Sequence, residues 1–236
     1  MRLSLDAGKS VVGQSRAMSF DTLNLEPATT VDRVTDELRR ALFEGELDPG
    51  TPLREVALAD SLSVARSTVR EALAALVAEG LADRMPHKGT VIRSLDREAV
   101  ADVCLARLVL ESAGVRAWPE APEDLRAGVR RALDAFAERA ADPSTTIADL
   151  TATHLAIHRS IVALTGSERI VAAAQALYSE IRLALANVDR IRRNAADQVV
   201  SHTTLVDLLE AGDTEATLAE LRTHLADGET SMAASL

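Results

Sequence analysis

The sequence predicts a mainly α protein in two parts, an N-terminal winged helix-turn-helix followed by a C-terminal antiparallel bundle of about six helices. Three observations carry this. Apolar residues recur at helical spacing from Thr30 onward. A short strand-turn-strand pattern at 81–93 interrupts that periodicity early in the chain. Aromatic residues make up only 2% of the chain, so the core must be built from Leu, Ile, Val and Ala, which let helices approach closely. The expected organisation is a flexible tail at 1–27, a winged-helix module at 28–95 and a helical domain at 96–236.

Taken in order, residues 1–27 show no sustained periodicity. Val34, Leu38 and Leu42 then define one helix face, which should end near Gly45 and the Pro49-Gly50 turn. A second short helix is expected to turn Val56, Ala59 and Leu62 inward. After Ser63-Val64-Ala65, Ser67 or a neighbour should cap a third helix carrying Val69, Leu73, Leu76 and Val77, with Gly80 just past its end. The hairpin follows, with Met85-Pro86-His87-Lys88-Gly89 as its turn.

Beyond Asp96, breaks fall at 119–122, 141–143, 166–167, 189–194 and 212–213. Asp142-Pro143 and Asp213 read as helix starts with an N-cap carboxylate.

Taken over the whole chain, the formal net charge of −10 argues against nucleic acid as a partner. Resolved by segment, −8 of it falls in 96–236, while 64–93 is locally +2. Non-specific DNA binding should therefore be weak and salt-dependent, leaving recognition to a few cations. One cysteine, Cys104, excludes an internal disulfide and any multi-cysteine metal site. No apolar run reaches the ~18–20 residues of a spanning helix, and a cytoplasmic location without membrane contact is expected.

In a helix-turn-helix the second helix enters the major groove by its N-terminal residues. Here these are Arg66, Ser67, Thr68 and Arg70, with both arginines on one face. Arginine grips guanine edges or phosphates, and hydroxyls suit phosphate oxygens. His87, Lys88 and Gly89 at the wing tip would lie along the DNA backbone or in the minor groove.

Four of the five histidines lie in the helical half: His154, His158, His202 and His224. His154 and His158 stand i, i+4, a spacing that lets two imidazoles share a metal. Arg107 and Glu111 have the same spacing on the first bundle helix, where an ordinary helical ion pair is the simpler reading.

The stretch from Gly45-Glu-Leu-Asp-Pro-Gly through Val64-Ala-Arg-Ser-Thr-Val-Arg-Glu-Ala-Leu to Lys88-Gly-Thr-Val resembles the GntR family of bacterial transcriptional regulators. That resemblance implies DNA contacts from Arg66, Arg70, the hydroxyls between them and the wing tip. Ala65 and Val56 depart from the pattern, standing where a hydroxyl residue and a DNA-contacting arginine are usual. The helical half resembles the ligand-binding domain of the FadR-like branch, called FCD. The pattern is carried by His158 within His-Arg-Ser-Ile-Val-Ala-Leu-Thr-Gly, by His202 ahead of Leu205 and Gly212-Asp213, and by His224.

The resemblance implies a homodimeric regulator, a repressor of a palindromic operator. It also implies a divalent metal and a small carboxylate effector held by Arg107. His154 replaces the family's aspartate, which makes a four-histidine site and favours Zn²⁺, with Ni²⁺ second. Alternatively, His154 swings away and leaves three ligands plus water. The competing functions are a metal sensor and a metal-dependent hydrolase. No His-Glu-x-x-His motif is present to support the latter.

Overall fold

The computed structural model describes residues 28–186 and 195–234. The expected tail at 1–27 and the break at 189–194 lie outside the described residues. The order is α1 (Thr30–Phe43), β1 (Pro52–Leu53), α2 (Glu55–Leu62), α3 (Arg66–Ala78), β2 (Ala82–Met85), β3 (Gly89–Ile92), α4 (Arg97–Ala117), a 3-10 turn (Trp118–Glu120), α5 (Glu123–Ala141), α6 (Ile147–Ala163), α7 (Glu168–Ala186), α8 (Ala195–Glu210) and α9 (Thr214–Ala233). This is a winged helix-turn-helix joined to a helical bundle. No helix among the described residues is long and apolar enough to cross a membrane.

Local chemistry explains most boundaries. Thr29 opens α1 with a capping box, its side chain receiving the Asp32 N–H while the Asp32 carboxylate receives the Thr29 N–H. Gly45 and Gly80 follow α1 and α3 with φ of +74° and +76°, the left-handed conformation glycine adopts without a Cβ penalty. Asp213 caps α9 by accepting the Ala216 N–H.

Three local expectations needed correction. The α3 N-cap is Ala65, which has no side chain able to cap, and Ser67 lies inside the first turn. Asp142 does not start a helix. Its carboxylate accepts the Ser144 N–H and hydroxyl in a turn, and Thr146 caps α6 instead. On α2, Ala59 and Leu62 do face inward, joined by Leu58, whereas Val56 is 51% exposed.

The wing is also a three-stranded antiparallel sheet in the order β1-β3-β2, not a bare hairpin. Pro52 and Leu53 pair with Val91 and Thr90, and Ala82 through Met85 pair with Ile92 through Gly89. Two paired residues are too few to leave an alternating pattern in sequence.

The winged-helix core is built on Val34, Leu38, Leu42, Val69, Leu73, Leu76 and Ile92, and one residue of α7, Leu183, is buried in it. The same helix sends Arg182 over the Phe43 ring, 3.7 Å from guanidinium carbon to centroid, and Glu180 to Arg93 at 3.4 Å. On its other face, Ala174, Tyr178 and Ile181 pack with Val103, Cys104 and Leu155 of α4 and α6. One helix therefore serves both halves.

Within the bundle, α4 and α6 touch backbone to backbone at Gly114. A Cβ there would lie 1.9 Å from the Ile161 carbonyl oxygen and 2.7 Å from its carbon. Gly114→Ala must force the helices apart and should cost about 3 kcal/mol in urea denaturation, the upper end for an overpacked core.

Candidate functional site

The four bundle histidines converge. His154 and His158 project from α6, His202 from α8 and His224 from α9, and one ring nitrogen from each lies within 4.8 Å of the others. His202 is central. Its Nε2 is 3.0 Å from His154 Nε2 and 3.1 Å from His158 Nε2. Phe136 of α5 packs beside the cluster, 5.4 Å and 5.7 Å from the His154 and His202 rings between centroids.

Outer partners fix which nitrogens face inward. His202 Nδ1–H donates to the Gln198 carbonyl at 2.6 Å, and His158 Nδ1–H donates to Glu111 Oε2 at 2.9 Å. Ser201 Oγ stands 3.0 Å from His224 Nδ1. Burial, reinforced by the neighbouring histidines, holds His154 well below the ordinary imidazole pKa. It pulls His158 down as well, and His202 to about 4. His224 is drawn to about 2, burial again being the main cause.

The rings are therefore neutral near pH 7. With both Nδ1 atoms serving as donors, His158 and His202 turn two Nε2 lone pairs toward each other with no proton between them. Such a donor set fits a divalent metal ion bound through imidazole nitrogens.

Glu111 ties this cluster to the rest of the pocket. It is fully buried, accepts from His158, pairs with Arg107 Nε at 2.9 Å and receives the Tyr178 hydroxyl at 3.3 Å. Arg107 is only 6% exposed, and its Nη2 has no hydrogen-bond partner among the described residues. It lines a cavity of about 420 Å³ together with His154, His158, Ser201 and His224. A guanidinium and an imidazole cluster on one cavity wall suit a small anion.

At the other end of the molecule, Arg66, Ser67 and Arg70 are exposed at the start of α3, and Thr68 is half-buried. Arg70 is not free. Its Nη2 pairs with Glu55 Oε2 of α2 at 3.0 Å, and this bond lowers the Glu55 pKa. His87, Lys88 and Gly89 form the exposed wing tip, with left-handed φ of +64° at His87 and +80° at Gly89.

Comparison with known proteins agrees with this architecture. Residues 30–92 match the model of the gntR family of bacterial regulatory proteins, and residues 102–227, more than half of the chain, match the FCD domain. The chain belongs to the GntR family.

As a GntR-family transcriptional regulator, it is not an enzyme. It is 30% identical to a protein of Paenarthrobacter nicotinovorans named probable D-xylose utilization operon transcriptional repressor, over 89% of this chain and 91% of that one. The gluconate operon transcriptional repressor of Bacillus subtilis (strain 168) is 39% identical over 42% of this chain and 40% of its own. The crystal structure of a putative transcriptional regulator GntR from Rhodococcus sp. RHA1 superposes with a TM-score of 0.75 at 28% identity, covering 87% of this chain and 98% of that chain.

Sequence reasoning assembled the four histidines and Arg107 of this GntR-family protein but missed what holds them. The i, i+4 spacing pairs Glu111 with Arg107 alone, yet its second oxygen orients His158 across 47 positions of chain. The partners of His202 and His224 were closer to hand, since Gln198 and Ser201 share α8 with His202. A helical map drawn around His202 places both.

Proposed function

We propose that the chain is a dimeric, metal-loaded repressor whose DNA affinity responds to a small organic acid. In this reading residues 28–95 read DNA and residues 96–236 sense the effector and dimerise. The observation that carries the sensing part is the facing pair of imidazole lone pairs beside the unpaired Arg107 N–H. Zn²⁺, or Ni²⁺ second, would be held by His154, His158, His202 and His224. With no carboxylate among those ligands, the ion keeps its double charge, and it and Arg107 would draw an effector carboxylate.

Arg66, Ser67, Thr68 and Arg70 would enter the major groove of a palindromic operator, with His87, Lys88 and Gly89 on the backbone beside it. Glu55 would hold Arg70 ready and surrender it to DNA. Leu105 and Val109 stand four apart on α4, 61% and 62% exposed, and supply an apolar stripe for the dimer. The shared helix α7 gives effector binding a route to the DNA-reading heads as a population shift. The relatives named as repressors support the direction of control.

Mobility shift of the metal-loaded protein on its own upstream region tests this. Arg66→Ala should weaken operator binding by about 1–3 kcal/mol, with relaxed specificity at one base pair. Adding a panel of small carboxylic acids should release DNA. A response to metal alone would instead support a metal sensor, and failure to bind any palindrome would sink the proposal.

Metal choice is a separate expectation. Protein stripped and exposed to equimolar Zn²⁺, Ni²⁺, Mn²⁺ and Mg²⁺ should retain Zn²⁺ or Ni²⁺ by elemental analysis. Retention of Mn²⁺ would show that the imidazoles do not set the selectivity.

A further inference from the structure

A second cavity, of about 480 Å³, lies where the two halves meet, with Arg39, Phe43 and Glu79 on the winged-helix side and Arg159, Tyr178 and Arg182 on the bundle side. Three guanidiniums face one carboxylate there. Arg39 is satisfied. Its Nε and Nη2 donate to Glu79 at 3.1 Å and 2.8 Å, and its Nη1 bonds Asp36. The other two are not. Arg159 is exposed and makes no ion pair among the described residues. Arg182 donates from Nη2 to the Ala148 carbonyl at 3.2 Å, but its buried Nε–H has no acceptor among the described residues.

A buried donor left unpaired is destabilising, and more so when it carries charge. Burial lowers the Arg182 pKa, and the distant pull of Asp149 and Glu44 does not offset it. One guanidinium N–H in the wall of this cavity thus lacks an acceptor among the described residues.

We propose that this seam is a second ligand site, separate from the metal cavity, that takes a small tetrahedral dianion, either inorganic phosphate or a phosphate monoester. The Arg182 Nε–H and the Arg159 guanidinium would hold the phosphoryl oxygens, since guanidinium geometry matches phosphate in fork fashion. The cavity exceeds what one phosphate fills, and Gln175 and Ser179 on its wall can bond the hydroxyls of an ester. Leu155 and Tyr178 partition it from the metal cavity. Leu155 lines both spaces, and the Tyr178 hydroxyl turns away from the seam to Glu111. Held by Arg159 and Arg182, a dianion would brace α6 against α7 on the face that meets α1, so phosphate status would bear on DNA affinity independently of the organic acid.

Isothermal titration of the metal-loaded full chain at constant ionic strength tests the site, with inorganic phosphate in one arm and glycerol phosphate in the other. Saturable binding is expected in at least one arm. The tighter arm identifies the source of the dianion. Arg159→Gln and Arg182→Gln should each weaken it roughly tenfold, and Arg107→Met, titrated under conditions where its melting transition shows it folded because it strands Glu111, should leave it intact. Arg159 is exposed, so its variant remains informative if Arg182→Gln fails to fold. Two results overturn the proposal. One is no saturable binding up to about 10 mM of either probe. The other is binding that is lost in Arg107→Met but kept in Arg159→Gln, which places the anion on the metal side.

Discussion

Glu111→Ala should destabilise the protein by about 3–5 kcal/mol in urea denaturation, the range for removing one partner of a buried ion pair. The reason is what remains. Arg107 is 6% exposed and already has one unpartnered nitrogen, so losing the carboxylate strands a buried guanidinium as well as the His158 Nδ1–H and the Tyr178 hydroxyl. Glu111→Gln keeps the shape and one acceptor for His158 but loses the charge. It should fold better than the alanine variant and bind metal about 10–100-fold more weakly, as expected when a residue orienting a ligand is altered. A loss under about 1 kcal/mol for the alanine variant would show Arg107 reaching water or another acceptor.

His202→Ala should weaken metal binding by more than about 100-fold, beyond the effect of altering an orienting residue. His202 contributes the nitrogen that lies 3.0 Å and 3.1 Å from those of His154 and His158, so no arrangement of the remaining three rings replaces it. Metal-dependent stabilisation should fall with it, since an ion bound only to the native state raises stability by mass action. Thermal denaturation with and without Zn²⁺ reads this directly. A wild-type melting temperature indifferent to Zn²⁺ would refute the metal assignment. His154→Asp should keep the ion and move its preference toward Mn²⁺, because a carboxylate oxygen suits harder ions.

Much of this was legible because it depends on neighbours in sequence. Gly45, Gly80 and Asp213 announce helix ends through backbone conformation and capping. The i, i+4 spacing of His154 and His158 announces a shared face. Other features depend on partners the chain supplies far away. Nothing near Arg70 says that Glu55 will hold it, and nothing near Glu111 says that its second oxygen belongs to His158. Leu183 reads as one more bundle leucine, yet it is buried in the winged-helix core. Asp142-Pro143 misled for a different reason. An aspartate before proline suits a turn as well as a helix start, and the decision fell to Thr146, which offered α6 a better cap.

The backbone contact at Gly114 bears on how load would be shared around a metal held at the histidine cluster. Because α4 and α6 are pressed together there, Arg107, Glu111, His154 and His158 belong to one closely packed plate. His202 and His224 arrive on α8 and α9 from outside it. An ion coordinated by all four imidazoles would act as a rivet between that plate and the last two helices. The plate would keep its shape whether the rivet is present or not, and the freedom it removes would be that of α8 and α9.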